Sequence, residues 1–163
     1  MSYNLTGAVY GGNVTLGKAG LAAGTTSTYS IGTAFTYAIK GQLYSKGTVT
    51  NGASPVTDVN TGVAFKPLAA GQACVFAFTV DAAGVVGVAQ GPIASTAEMV
   101  GGTGAAQFPA TSDAVQPFGY ALVQADKTLA SPWTFGVGNL TGVTGLTLAF
   151  RDILAAPAQP IVS

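Results

Sequence analysis

Six carboxylates, one thiol and no imidazole make up the reactive inventory of this 163-residue chain. The acids are Asp58, Asp81, Glu98, Asp113, Asp126 and Asp152, and Cys74 is the only cysteine. A pair of acids could serve glycoside hydrolysis, one as proton donor and one as base or nucleophile. Each, however, falls in or beside a predicted turn, where Asp bonds its own backbone. Without histidine there is no Ser-His-Asp triad, no Cys-His pair and none of the commonest metal ligand. One cysteine can build neither a thiolate zinc site nor an intrachain disulfide. Its place on a Phe-rich segment predicts an inert buried thiol. Gly11-Gly12 and Gly101-Gly102-Thr103-Gly104 lack the Gly-Lys-Ser/Thr that a phosphate-binding loop needs, and read as plain loops. The Asn-x-Thr sequons at Asn4, Asn13 and Asn139 read as chance matches in a Thr-rich chain. Trp133 and the tyrosines offer stacking surface for a sugar, although aromatics on strand faces more often build core. The expectation is a protein that is not an enzyme, with no catalytic, cofactor-binding or metal-binding residue.

The elements that must position these groups are strands. Residues 72–91, QACVFAFTVDAAGVVGVAQG, form the organising stretch. Cys74, Phe76, Phe78 and Val80 alternate with Val75, Ala77 and Thr79, which gives a strand with one aromatic face. Asp81-Ala82-Ala83-Gly84 supplies turn chemistry, and residues 85–89 resume the β-branched bias, so the stretch predicts a hairpin. Residues 29–40 alternate most clearly. Tyr29, Ile31, Phe35, Tyr37 and Ile39 take one face of a single predicted strand. Gly41 bends the chain, and residues 42–50 return as its partner, carrying Leu43 and Val49. Asn51-Gly52 is a turn signal. Residues 63–66, 116–126, 133–137 and 146–150 are further strand candidates, with Phe118, Tyr120 and Leu122 on one face of the second. Residues 17–28 and 101–112 read as loops, and Ser95-Thr96-Ala97-Glu98 has the spacing of a capping box opening a single helical turn.

Turn signals every 8–12 residues between short strands predict an all-β fold, an antiparallel sandwich or a jelly-roll-like barrel of about 8–10 strands. Residues 1–163 form one domain, with residues 1–24 as an N-terminal arm and residues 154–163 as an extended Pro-containing tail. No apolar run approaches the ~20 residues of a membrane span. Residues 1–10 lack an apolar h-region and the first positive charge is Lys18, so no signal peptide is expected.

Composition speaks to partners. Six basic and six acidic residues cancel, and no charge run forms a nucleic-acid or membrane patch. Only 7% of residues are charged, against about 25% in ordinary soluble domains. A surface of Thr, Ser, Gly, Ala, Asn and Gln with no net charge associates readily, which points to assembly. A Thr-rich monomer of low charge is the alternative.

Three segments in order, residues 73–91, 116–126 and 134–152, carry a resemblance. They read as a strand with a DAAG turn and VVGVAQG, then QPFGYALVQAD, then Gly138-Asn139-Leu140-Thr141 running to Phe150-Arg151-Asp152. This order resembles small β-rich virion proteins of tailed bacteriophages, of the head decoration (cement) and head-fibre types. The resemblance implies a capsid-exterior subunit, assembled in the host cytoplasm, often trimeric and bound to the major capsid protein. It carries no active site. A fibre or spike module that binds a host glycan or receptor is the alternative, and it predicts an exposed aromatic patch near Trp133.

Overall fold

The computed structural model describes residues 12–97 and 106–154. Among them the strands are, in chain order, β1 (Val14–Thr15), β2 (Leu21–Ala23), β3 (Thr28–Ile31), β4 (Phe35–Ile39), β5 (Gln42–Lys46), β6 (Val49–Ala53), β7 (Gln72–Asp81), β8 (Val86–Gln90), β9 (Ala94–Ser95), β10 (Val115–Ala125) and β11 (Leu146–Asp152). All their pairings are antiparallel. They make a five-stranded sheet in the order β11-β10-β7-β8, with β9 paired to β7, and two three-stranded sheets, β1-β4-β5 and β2-β3-β6. The sheets do not close, so of the two expected architectures the chain adopts the sandwich and not the barrel.

β7 organises the fold as its sequence predicts. Cys74, Phe76, Phe78 and Val80 enter the main core, while Ala73, Val75 and Ala77 enter a smaller core on the opposite face under Ala106 and Phe108. Period-2 alternation accounts for this split, and both faces are buried because loop 106–112 covers the second. Asp81 closes the hairpin to β8, and Gly84 takes the left-handed conformation that the turn requires.

The predicted single strand over residues 29–40 is two strands in two sheets. Gly32-Thr33-Ala34 breaks it, and there the amides of Gly32 and Thr33 bond to Gly20 and Ala19 instead of to a neighbouring strand. The returning chain breaks opposite, at Gly47-Thr48. Equal lengths of chain separate the pairs Tyr29↔Gly52 and Phe35↔Lys46, so β3–β4 and β5–β6 form one long hairpin bent in the middle. The break spans an odd number of residues, so side-chain phase survives, and Tyr29, Ile31, Phe35, Tyr37 and Ile39 all reach the main core. Lys40 and Gly41, both at positive φ, close the tip as a two-residue turn. Leu43, on the returning strand, is 63% exposed.

Two bulges account for further departures. Asn51-Gly52 is not a turn but lies inside β6. Asn51 has a φ of 53°, and the extra residue shifts the register against β3. In β10 the register shifts between Pro117 and Gly119, leaving Phe118 unpaired. Phe118 therefore points into the main core, while Tyr120 and Leu122 face the second core, which separates three residues expected to share a face. Gly119 makes room for this: a Cβ there would sit 2.7 Å from Leu21 Cδ2.

The predicted strands at residues 63–66 and 133–137 reduce to single bridges, Thr57↔Ala64 and Leu68↔Trp133. Ser95 ends β9, Thr96 and Ala97 are helical as expected, and Glu98 with Met99 lies outside the described residues. Part of the expected N-terminal arm is built into the domain. β1 and β2 pair with β4 and β3, and Ala19 and Leu21 are buried. Residues 1–11, and those after Leu154, lie outside the described residues.

Phe78 touches four rings, those of Tyr29, Phe118, Phe135 and Phe150, at centroid distances of 5.5, 6.3, 5.8 and 6.3 Å. Phe78→Ala is expected to cost about 3–5 kcal/mol in urea unfolding. Leu43→Ser, at an exposed site, is expected to stay within about 0.5 kcal/mol of the parent chain.

Candidate functional site

Each described acid is committed to a structural contact. Asp58, on the loop after β6, is nine-tenths buried. Its Oδ1 accepts from the amides of Asn60 and Thr61 at 2.8 and 3.1 Å, and its Oδ2 from the Gln90 amide at 2.7 Å. Asp81 Oδ1 accepts from Ala83 and Val85, both at 2.9 Å, and fixes the β7–β8 turn. Asp126 Oδ1 accepts from the amide and hydroxyl of Thr128 at 2.7 and 2.6 Å. Those two bonds hold its carboxyl below the usual carboxylate range, the hydroxyl contributing most. Asp152 spans two layers: Oδ1 accepts from Leu21 N at 3.0 Å and Oδ2 from Gly20 N at 3.1 Å. Asp113 meets Lys40 Nζ at 3.3 Å on the exposed surface.

The turn chemistry behind three of these acids was readable from sequence. The clamp of Asp152 on β2 was not, because it links segments more than a hundred residues apart. Among the described residues no group of three His, Cys, Asp or Glu side chains comes together.

Cys74 lies at full depth beneath the main core, with Sγ 3.1 Å from the Gly91 carbonyl oxygen. Burial pushes its thiol up to about 12, against a smaller downward pull from Gln90 and Gly91. Trp133 is only 5% exposed, and its Nε1 donates to Asn139 O at 2.9 Å. Its ring packs edge-on against Phe76 and Phe135. The exposed aromatic patch expected near Trp133 is therefore absent: the indole is a core side chain. The sequon residue Asn13 is also engaged, donating to the carbonyls of Asp113 and Val115 and accepting from the Lys40 amide.

The surface formed by the described residues includes the following three hollows. One of about 380 Å³ lies over Leu129, Pro132, Val137 and Val143, beside the edge of Trp133. A second of about 650 Å³ is lined by Asp58, Asn60, Lys66, Gln90, Ile93 and Pro109. There the Gln90 amide acts as a piece of strand, accepting from Lys66 N at 2.8 Å and donating to Lys66 O at 2.9 Å. The third, about 550 Å³, follows Leu16, Phe35 and Lys46 at the bend of the long hairpin. Asp58 is the only acid lining any of the three, and its oxygens already accept three amides. None of the hollows joins a carboxylate pair.

The exterior carries few charges and several exposed large apolar side chains. Val137, Val63, Val85 and Leu16 stand out from it, Val137 at 72% exposure. No family model, no curated protein and no solved structure matches the chain.

Two measurements follow from these contacts. Asp58→Ala leaves three part-buried amides without their acceptor and is expected to cost about 1–3 kcal/mol by urea denaturation. On the alkaline side, burial raises Cys74, Tyr29 and Tyr37 above their ordinary values of 9.0, 10.0 and 10.0. The folded chain then holds protons that the unfolded chain releases. The contribution of Cys74 is full below pH 9 and is lost as pH rises toward about 12, by at most about 1.4 kcal/mol per pH unit, and the two tyrosines add to the loss above their ordinary value of 10.0. Cys74→Ala should flatten the part of that slope that begins near pH 9, in denaturation curves taken at stepped pH.

Proposed function

We propose that this chain is a non-enzymatic structural subunit of a virion, a decoration protein that stabilises a phage shell from outside through symmetric contacts. The observation that carries the reading is the use made of its few charges. Only 7% of residues are charged, and four of the five described acids accept from the protein's own backbone amides, so charge is sparse on an exterior from which Val137, Val63 and Leu43 project. Such a surface gains by being covered. Many weak contacts repeated by symmetry then bind tightly without one strong site. The resemblance of residues 73–91, 116–126 and 134–152 to phage head proteins supplies the class of particle, the major capsid protein as partner and a trimeric subunit arrangement.

A glycan-binding fibre module is less well supported, because the aromatic residue expected to stack on a sugar is buried. Sedimentation of the protein as isolated from its source tests the proposal. It is expected in a very large particle beside a more abundant shell protein. Recovery as a free monomer would remove the virion reading and favour a free-standing binding domain.

A further inference from the structure

A sheet edge carries a row of amides and carbonyls that bond to something or to water. In this chain several edges carry contacts of their own among the described residues. Beyond β1, the Thr15 amide donates to Leu154 O at 3.0 Å. At β2 the Asp152 carboxylate takes the amides of Gly20 and Leu21. Along β8, Val59 donates to Val88 O and Asp58 accepts from Gln90 N. On β11 the Arg151 guanidinium covers the Phe150 carbonyl alone, and that strand is partly open as well. β6 is interrupted by its bulge at Asn51, whose side chain accepts from Thr25 N.

β5 is different. Its outward-pointing groups follow from the phase of the ladder. The two-residue turn Lys40-Gly41 makes Ile39↔Gln42 a hydrogen-bonded pair, so bonding alternates along the strand to Tyr37↔Tyr44. The Leu16 amide donates to Thr36 O at 2.8 Å, which shows that Thr36 points toward β1 and that its cross-strand partner Ser45 points away from the sheet. Leu43 shares that orientation. Among the described residues no backbone bond from another segment reaches Leu43 or Ser45. Both are exposed, and no acid lies on the strand.

We propose that β5 is a self-association edge whose occupant is β5 of a second copy, antiparallel and centred on Tyr44. This goes beyond the proposed function, since it concerns two copies in solution whether or not a shell is present. The register is chosen by the strand itself. Centred on Tyr44, Leu43 lies opposite Ser45 of the second copy and Ser45 opposite its Leu43. All the outward groups then meet as two hydrogen-bonded pairs, each exchanging both bonds. Centring on Leu43 or on Ser45 leaves one of these pairs unmade. The same register sets Lys46 opposite Gln42 and not opposite a second lysine, so no like charges face each other. Tyr44, stacked on Tyr37 at 5.6 Å and 24°, would meet its own copy on the two-fold axis and extend the aromatic row across the contact. The contact is isologous and closes as a dimer.

The test is sedimentation of the purified full chain over a range of concentrations, compared with Ser45→Pro and Leu43→Lys. Proline removes an amide that the fold does not use, at an edge position where it is tolerated. Lysine places a charge on a site exposed to solvent. The parent chain is expected to shift from monomer to dimer as concentration rises. Each variant should weaken that shift at least tenfold while keeping the parent's circular dichroism and melting temperature. If Ser45→Pro fails to fold, Leu43→Lys alone decides. A parent chain that stays monomeric at millimolar concentration overturns the proposal, as does association, dimeric or trimeric, that a folded variant leaves unchanged.

Discussion

The fold depends on one strand having to be buried on both sides. β7 presents Phe76 and Phe78 to one core and Val75 and Ala77 to another, and no arrangement of two layers satisfies both faces. The bent hairpin, together with Phe65, Leu68, Trp133 and Phe135 from irregular segments, covers the aromatic face. The segment before β10, with Ala106 and Phe108, covers the small one. The rings meet mostly edge-on or tilted, with Phe76 and Phe135 stacked at 4.7 Å. Such geometry favours the ring quadrupoles and fixes how the layers sit. The bulge at Phe118 serves the same end. It turns an aromatic side chain inward just where Phe35 and Phe78 need a third ring, at 5.1 and 6.3 Å.

Polar groups follow a parallel economy. A chain with so few charges has little to spend on its exterior, and its acids are used as acceptors for amides that the strands leave over. Asp58 and Asp152 each join two segments distant in sequence, a task usually left to side-chain packing. Gln116 does the same without charge. It is buried, and its amide donates to Thr15 Oγ1 at 2.9 Å, stitching β1 to β10. The result is an interior whose polar atoms are largely paired. The hydroxyls of Ser54 and Thr79 are the buried side-chain atoms left without a partner among the described residues.

Fold class and strand faces were legible because alternation is a local signal that burial enforces. The hairpin around Asp81 and the inward set from Tyr29 to Ile39 show this. What sequence could not show was where a strand changes sheets. Gly32 and Gly47 look like ordinary strand interruptions until each is seen opposite the other. Asn51-Gly52 has the composition of a hairpin turn, yet the same tolerance of positive φ serves a bulge equally well. Trp133 and Phe135 carry strand-like composition but sit on a single bridge and a turn, because tertiary contacts hold their rings in place without a ladder. The turn roles of Asp81 and Asp126 were also legible. The edge contacts, and the open groups at β5, were not, since they depend on partners far along the chain.

The bond from the Thr15 amide to the Leu154 carbonyl has a kinetic meaning. β1 sits between β4 and the last described residue, and Gln116 and Pro117 reach it from β10. On a ribosome, the early strands emerge long before the chain that must flank them. The long hairpin can close on itself as it appears, because its pairs are local. The sandwich cannot, since its central strand waits for β10 and β11. Folding should therefore be governed by late loop closure and run on the slow timescale of β topologies rich in distant contacts. During that wait the aromatic face of β7 is exposed to other nascent chains.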